Sequence, residues 1–215
     1  FPTKEAVKII SRTVINENTL WLVQSGSAIE FNFKGKFLEI QAKSVGFYQK
    51  EQIIWKPRLA IFINNEIFLD EVLEQPEKDI TIINEEKDKD VIIKIIKLTE
   101  ERVGSIGISK FKIKSLNTQP LSPTDYKQRK IEFIGDSLTC GYGIEGKNTD
   151  EIPCSNNENF MKTYAYLASK ELDADYFVLS FNAYIFVLFK RASLTASFSV
   201  VTILPSMFSI SARLY

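Results

Sequence analysis

Histidine is absent from all 215 residues of the chain. Without an imidazole there is no ordinary general base near neutral pH, no Ser-His-Asp triad and no histidine metal ligand. Cysteine is scarce as well. Cys140 and Cys154 are too few for a disulfide scaffold and lack the paired spacing of a zinc site, so no metal is expected. One bridge between them and two inert thiols are equal alternatives. Charge of one sign is not in excess, since Lys plus Arg and Asp plus Glu both number 27. No overall field draws in nucleic acid or an anionic membrane surface, and a neutral small molecule or a sugar polymer is the easier partner. Residues 176–189 are apolar, but Ser180 and Asn182 interrupt them and Lys190-Arg191 ends them short of the roughly 18–20 residues that a membrane span needs. Phe1 is not an initiator methionine, so the start is expected to be processed or cut, with any signal peptide already gone.

What is present suffices for real cores: 45% of the residues are apolar and 12% aromatic, enough for one large or two small domains. From residue 20 to about 113 the apolar positions alternate, as in strands buried on one face. Ile29, Phe31 and Phe33 alternate with Glu30, Asn32 and Lys34, and Leu38, Ile40 and Ala42 with Glu39, Gln41 and Lys43. Gly35 between these runs, and Asn64-Asn65 between 59–63 and 66–69, are read as hairpin turns. The charged residues 85–90, between the apolar runs 79–84 and 91–98, are read as hairpin surface, as is 110–114. Six or more short strands without a helical period predict an all-β sandwich, most simply a jelly roll, over residues 1–121.

Residues 115–130, SLNTQPLSPTDYKQRK, have the polar, proline-containing composition of a linker, with 122–130 as its core and the boundary near Ser122. The pattern then changes. Residues 130–134 form a short apolar strand, 158–171 place Phe160, Tyr164, Leu167, Ala168 and then Leu172 on one helical stripe, and 175–180 form a second strand. This strand–helix–strand order predicts a parallel sheet and a partial three-layer α/β domain over 131–215. No acidic residue follows Asp175 and no glycine follows Gly146, so the tail 181–215 is atypical for such a domain.

Chemistry concentrates in IEFIGDSLTCGYG, residues 131–143, where a buried strand runs into Gly135-Asp136-Ser137 and a glycine-rich turn. A serine between a strand and a helix exposes its hydroxyl, and its own N–H can face a developing oxyanion. A serine that merely caps the next helix is the rival reading. Trp21, Tyr48 and Trp55 carry flat apolar faces that suit a pyranose, although core packing is the commoner fate of a strand tryptophan. Trp55 is the candidate substrate-binding residue.

The block resembles the first signature of SGNH (GDSL-type) hydrolases, and the longer IEFIGDSLTCGYGIEG resembles carbohydrate esterase family two. SGSAIEFNFKG (25–35) and NENFMKTYAYLASKELDADY (157–176) resemble the same family, so that the likeness spans roughly residues 10–180. The resemblance implies a jelly roll joined to an SGNH domain, with Ser137 as nucleophile toward acetyl esters on a plant-wall polysaccharide such as xylan. It implies that Asp136 holds the turn rather than serving as the triad acid. It further implies no cofactor, secretion, and an oxyanion hole built from the N–H groups of Ser137 and Ala183. Ala183 stands in SFNA (180–183), where the family has glycine, and the family's later asparagine and histidine have no counterpart. Loss of the base lowers activity by several orders of magnitude. The sequence is therefore expected to be truncated or frameshifted near residue 181, with a non-catalytic carbohydrate-binding protein or a decayed gene product as the alternatives.

Overall fold

The computed structural model describes residues 2–50, 52–148, 151, 154–180, 201–203 and 210–214. Its frame is a pair of long antiparallel strands, β4 (Ala28–Val45) and β9 (Glu77–Lys97). Around them β1 (Lys8–Ile10), β2 (Thr13–Asn16), β3 (Thr19–Leu22), β7 (Arg58–Ile63), β8 (Glu66–Val72), β10 (Ser105–Lys114) and β11 (Leu121–Pro123) complete one nine-stranded sheet. The order is β2-β3-β10-β4-β9-β7-β8, with β1 and β11 both paired to the first half of β4. A separate hairpin joins β5 (Tyr48–Lys50) to β6 (Ile53–Trp55).

The fold is thus mostly β, but it is one sheet curled into a half-barrel where two sheets of a jelly roll were expected. The difference has a local cause. Gly35 is not a hairpin turn: β4 runs straight through it, and the register shifts between Gly35 and Phe37. A bulge of this kind bends a strand and changes which parity faces inward. Ile29, Phe31 and Phe33 before it, and Leu38, Ile40 and Ala42 after it, consequently share one core. Residues 85–90 are no hairpin either. They lie within β9, pairing Lys34 with Asp90 and Gly35 with Lys89 where the sheet turns over, and they are exposed on both faces. Residues 110–114 likewise continue β10 along β4. The Asn64-Asn65 turn does form, with φ of 51° and 70°, between β7 and β8.

Residues 122–130 are tied down at both ends. Ser122 and Pro123 belong to β11, and Arg129 and Lys130 to β12 (Arg129–Gly135). After β12 come the short α1 (Ser137–Cys140), then α2 (Tyr164–Glu171) and β13 (Ala174–Ser180), which pairs with β12 in parallel from Arg129↔Ala174 to Gly135↔Ser180. The described residues therefore carry one β-α-β unit rather than a complete three-layer domain. On the other edge of β12, β15 (Ile210–Leu214) pairs antiparallel, and β14 (Val201–Ile203) pairs with β15.

α2 is shorter than the periodicity suggests. Residues 155–157 and 160–162 are 3-10 turns, and the α-helix starts only at Tyr164, capped by Thr163, whose hydroxyl accepts from the Tyr166 N–H. That later start sets a different inward face. Phe160, Ala165 and Ser169 are buried, while Leu167 and Leu172 of the expected stripe are 53% and 43% exposed.

A second core joins the two regions. Ile10, Ala28, Ala60, Phe62, Ile96 and Leu98 from the outer face of the curled sheet pack against Phe160, Tyr176, Val178, Ile131, Phe133 and Ala165. Polar ties reinforce it. Lys8, 1% exposed, pairs with Asp175 at 2.6 Å, the Tyr176 hydroxyl donates to Gly26 O at 2.9 Å, and the Val178 N–H donates to Ser11 Oγ at 3.0 Å. This last bond satisfies a backbone group on β13, which is at the edge of the second sheet among the described residues.

Candidate active site

Ser137 stands at the carboxyl end of β12, the end of a parallel sheet where open α/β folds place their ligands. Three neighbours fix it there. Asp136 is the N-cap of α1, and its carboxylate accepts from the Leu138 N–H at 3.0 Å, so this acid holds the turn, as expected from the resemblance. Gly135 is needed for close approach: a Cβ there would sit 2.0 Å from Thr139 Oγ1. That hydroxyl cannot swing away freely, because it shares a 2.8 Å hydrogen bond with Tyr164 OH on α2. The Ser137 side chain is half-buried, and its Oγ and its N–H have no hydrogen-bond partner among the described residues.

Beneath the turn the side chains are buried. Cys140 is fully buried with its Sγ 3.4 Å from Asp136 O, and burial pushes its thiol up, far from a reactive thiolate. Both cysteines are free thiols, so the bridge left open by the sequence does not form.

The segment after the nucleophile turn is clamped by the curled sheet. Arg58 on β7 takes Asp70 in a two-pronged pair at 2.7 and 2.8 Å, and its Nη1 donates to Glu145 Oε2 at 2.6 Å and to Asn156 O at 2.8 Å. Glu145 also pairs with Lys162 at 2.7 Å, and these hydrogen bonds outweigh burial in holding its carboxyl below the usual range. The Asn159 N–H donates to Gly141 O at 3.1 Å, and the Phe160 N–H to Leu98 O at 3.1 Å. Sequence reading missed this clamp, because Arg58 and Glu145 are far apart in the chain and neither lies in a motif.

A buried charged group lies on the same side. The Lys97 ammonium donates to the carbonyls of Thr99 and Glu100, the Glu100 N–H donates to Glu158 Oε1 at 2.6 Å, and Arg102 pairs with Glu100 at 2.8 Å. Burial, and then the adjacent Glu100 carboxylate, pushes Glu158 up to about 8, while burial brings Lys97 down to about 8.

Trp55 is placed differently from the expectation of an open sugar platform. It is 2% exposed, stacked on Tyr142 at 5.3 Å and met edge-on by Tyr48 at 5.6 Å. Its ring is spent on fixing Tyr142, five residues after Ser137. Trp21 is half-buried and lies across Gly107. Ala183, the second expected oxyanion donor, lies outside the described residues. Among the described residues no three His, Cys, Asp or Glu side chains converge as a metal site, and no helix is long and apolar enough to cross a membrane.

Residues 10–123 match the model of the family described as Carbohydrate esterase 2 N-terminal. The chain belongs to this family. The cellulase/esterase CelE of Acetivibrio thermocellus is 47% identical over 47 residues, covering 22% of this chain and 6% of that protein. A family two carbohydrate esterase from Clostridium thermocellum, solved in complex with cellohexaose, superposes with a TM-score of 0.70 at 22% identity, over 82% of this chain and 51% of the other. The acetyl xylan esterase Est2A of the rumen bacterium Butyrivibrio proteoclasticus does so with 0.70 at 21%, over 84% and 47%. At these identities the likeness is one of fold, and it reaches past the curled sheet. The chain spans about half the length of the solved structures it matches.

Proposed function

We propose that this chain carries the nucleophile end of a serine-dependent carbohydrate O-acetyl esterase. Residues 1–121 form the accessory β domain, 122–130 the join, and 131 onward the start of an SGNH-type α/β domain. The single observation that supports this reading is the setting of Ser137, whose hydroxyl and N–H are both unengaged among the described residues, while Asp136, Gly135 and the Thr139–Tyr164 bond hold the turn around them. In the reaction Ser137 Oγ attacks the acetyl carbonyl and the polysaccharide hydroxyl leaves, and water then hydrolyses the acetyl-serine. The Ser137 N–H faces the oxyanion, with Ala183 as the second donor. Serine, base and oxyanion hole suffice for such chemistry, so no cofactor is needed. The substrate class is an acetylated plant-wall polysaccharide such as xylan, and a polymer of that kind places the work outside the cell. These 215 residues include no imidazole, so turnover by the chain alone is several orders of magnitude below that of a complete triad.

The test is acetate release from acetylated xylan, with and without free imidazole, by this chain and by Ser137→Ala. Release above the Ser137→Ala level that imidazole raises supports the esterase. Equal release by the two proteins at every imidazole concentration contradicts it. Binding of deacetylated xylan that survives Ser137→Ala, with no acetate released, would instead favour a non-catalytic carbohydrate-binding role.

A further inference from the structure

At the opposite end of the β12–β13 pair lies a cleft of about 510 Å³, walled by the outer face of the curled sheet on one side and by α2 and the start of β13 on the other. Its volume falls within the roughly 300–1,000 Å³ of small-molecule sites, which favour the seams between structural units. Asp175 faces it and pairs with Lys130, whereas Gly135 pairs with Ser180, so five residues of strand, about 17 Å, separate the cleft from Ser137.

Most of its charges are already matched. Lys8 holds Asp175 at 2.6 Å and stands 4.0 Å from Glu30, and Lys127 holds Asp173 at 2.7 Å. Two ammonium groups are left over. Lys94 lies on β9 directly across from Glu30, yet its Nζ sits over the rings of Tyr166 and Tyr176, 5.2 and 5.8 Å from their centroids, and makes no ion pair with any described residue. Lys170 on α2 also lines the cleft and has no ion-pair partner among the described residues. Also lining the cleft are Asp125, whose backbone oxygen takes the Lys8 ammonium at 2.9 Å, and Glu30, whose carboxylate takes one hydroxyl bond from Thr124 at 2.6 Å.

We propose that this cleft is a second ligand site, separate from Ser137, that takes a sugar carboxylate, a uronate. One negative charge answers Lys94 and Lys170, and the sugar hydroxyls donate to Glu30 and Asp125. A dianion such as phosphate is disfavoured by the same two carboxylates. A neutral sugar brings no anion to Lys94, whose charge burial disfavours even with the Glu30 and Asp175 carboxylates nearby. The charge-assisted bond to the half-buried ammonium is the anchor of the complex.

Titration calorimetry on the intact chain tests this with D-glucuronate, D-glucose, acetate and glycine as separate probes, and with a xylo-oligosaccharide bearing a uronate to distinguish a free sugar acid from a polymer side group. Glucuronate, free or on the oligosaccharide, is expected to bind at least tenfold more tightly than glucose, acetate or glycine. Lys94→Met, which keeps the aliphatic stem over the tyrosines, weakens glucuronate at least tenfold, and Lys170→Gln on the exposed helix face weakens it about threefold. Ser137→Ala leaves the affinity unchanged, so the outcome is independent of the esterase reading. Absence of saturable glucuronate binding, equal binding of acetate, glucose or glycine, or unchanged affinity in Lys170→Gln and a folded Lys94→Met would overturn the proposal.

Discussion

The two faces of the curled sheet bury apolar side chains in different ways. The inner face is closed by the sheet itself: Phe31, Phe33, Leu38, Ile40, Ile93 and Ile95 meet across the bend of β4 and β9 and need nothing from outside. The outer face is closed only by docking, where Ala28, Ala60, Phe62, Ile96 and Leu98 require Phe160, Tyr176 and Val178 from residues 129–180. Of the buried apolar side chains in residues 129–180, all but Cys140 lie in this shared core. The segment bearing Ser137 therefore draws its order from the β domain, and the clamp of Arg58 on Glu145 and Asn156 extends that dependence to the turn beside the nucleophile.

The strongest way to break this asymmetry is Phe160→Ala. The ring is fully buried and touches Tyr166 and Tyr176 at 5.9 and 5.4 Å, so its removal costs about 3–5 kcal/mol. Hydrogen exchange should show residues 129–180 losing protection while the inner strands keep theirs. A uniform loss across both regions would mean that the two cores unfold as one. Gly26→Ala attacks the same seam from the β side. Its φ is +77°, and a Cβ would lie 2.4 Å from Phe160 Cε1, so strain and overpacking together cost about 2–4 kcal/mol. The expected result is a lowered urea midpoint, again with exchange concentrated in 129–180.

A smaller effect is expected from Arg58→Met, which leaves Glu145 and two carbonyls without their donor at about 1–3 kcal/mol. The measurable consequence is faster amide exchange over 141–158 with little change in the inner strands. The least expensive perturbation is pH. Glu158 is held near 8 in the fold against an ordinary 4.5, so the folded state keeps a proton that the unfolded chain releases, and stability falls as pH rises from about 4.5 to about 8. Lys97, held down to about 8 against 10.5, acts oppositely, so stability recovers between about 8 and 10.5. Melting temperature against pH should therefore dip near 8, and Glu158→Gln should flatten the acid side of the dip. An unchanged slope in that variant would remove Glu158 as its source.

Much of the inner core is legible in the sequence because a strand buried on one face must alternate, and 29–33 and 38–42 do so. What the pattern cannot reveal is continuity. Residues 85–90 carry charges on both sides because the strand is exposed on both faces at the bend, and such a stretch reads as a turn although it lies within β9 and Lys89 and Asp90 still pair with β4. The outer core left a signal that went unused: Ala28-Ile29, Ala60-Ile61-Phe62 and Ile95-Ile96 are adjacent apolar residues, the mark of a strand covered on both faces. At the site, the Gly-Asp-Ser turn was readable because it is local, and the role of Asp136 through the family resemblance. The burial of Trp55 under Tyr142 and the Arg58 clamp were not, since both depend on contacts between residues about 90 positions apart.

The measurement that bears most directly on Ser137 as the nucleophile is peptide mapping by mass spectrometry after exposure to an activated aryl acetate. With no imidazole to speed deacylation, an acetyl group placed on this serine should accumulate. Acetyl on the peptide containing Ser137, absent from that peptide in Ser137→Ala, is the expected result. Acetyl found only on lysines, with identical patterns in the two proteins, would contradict the assignment.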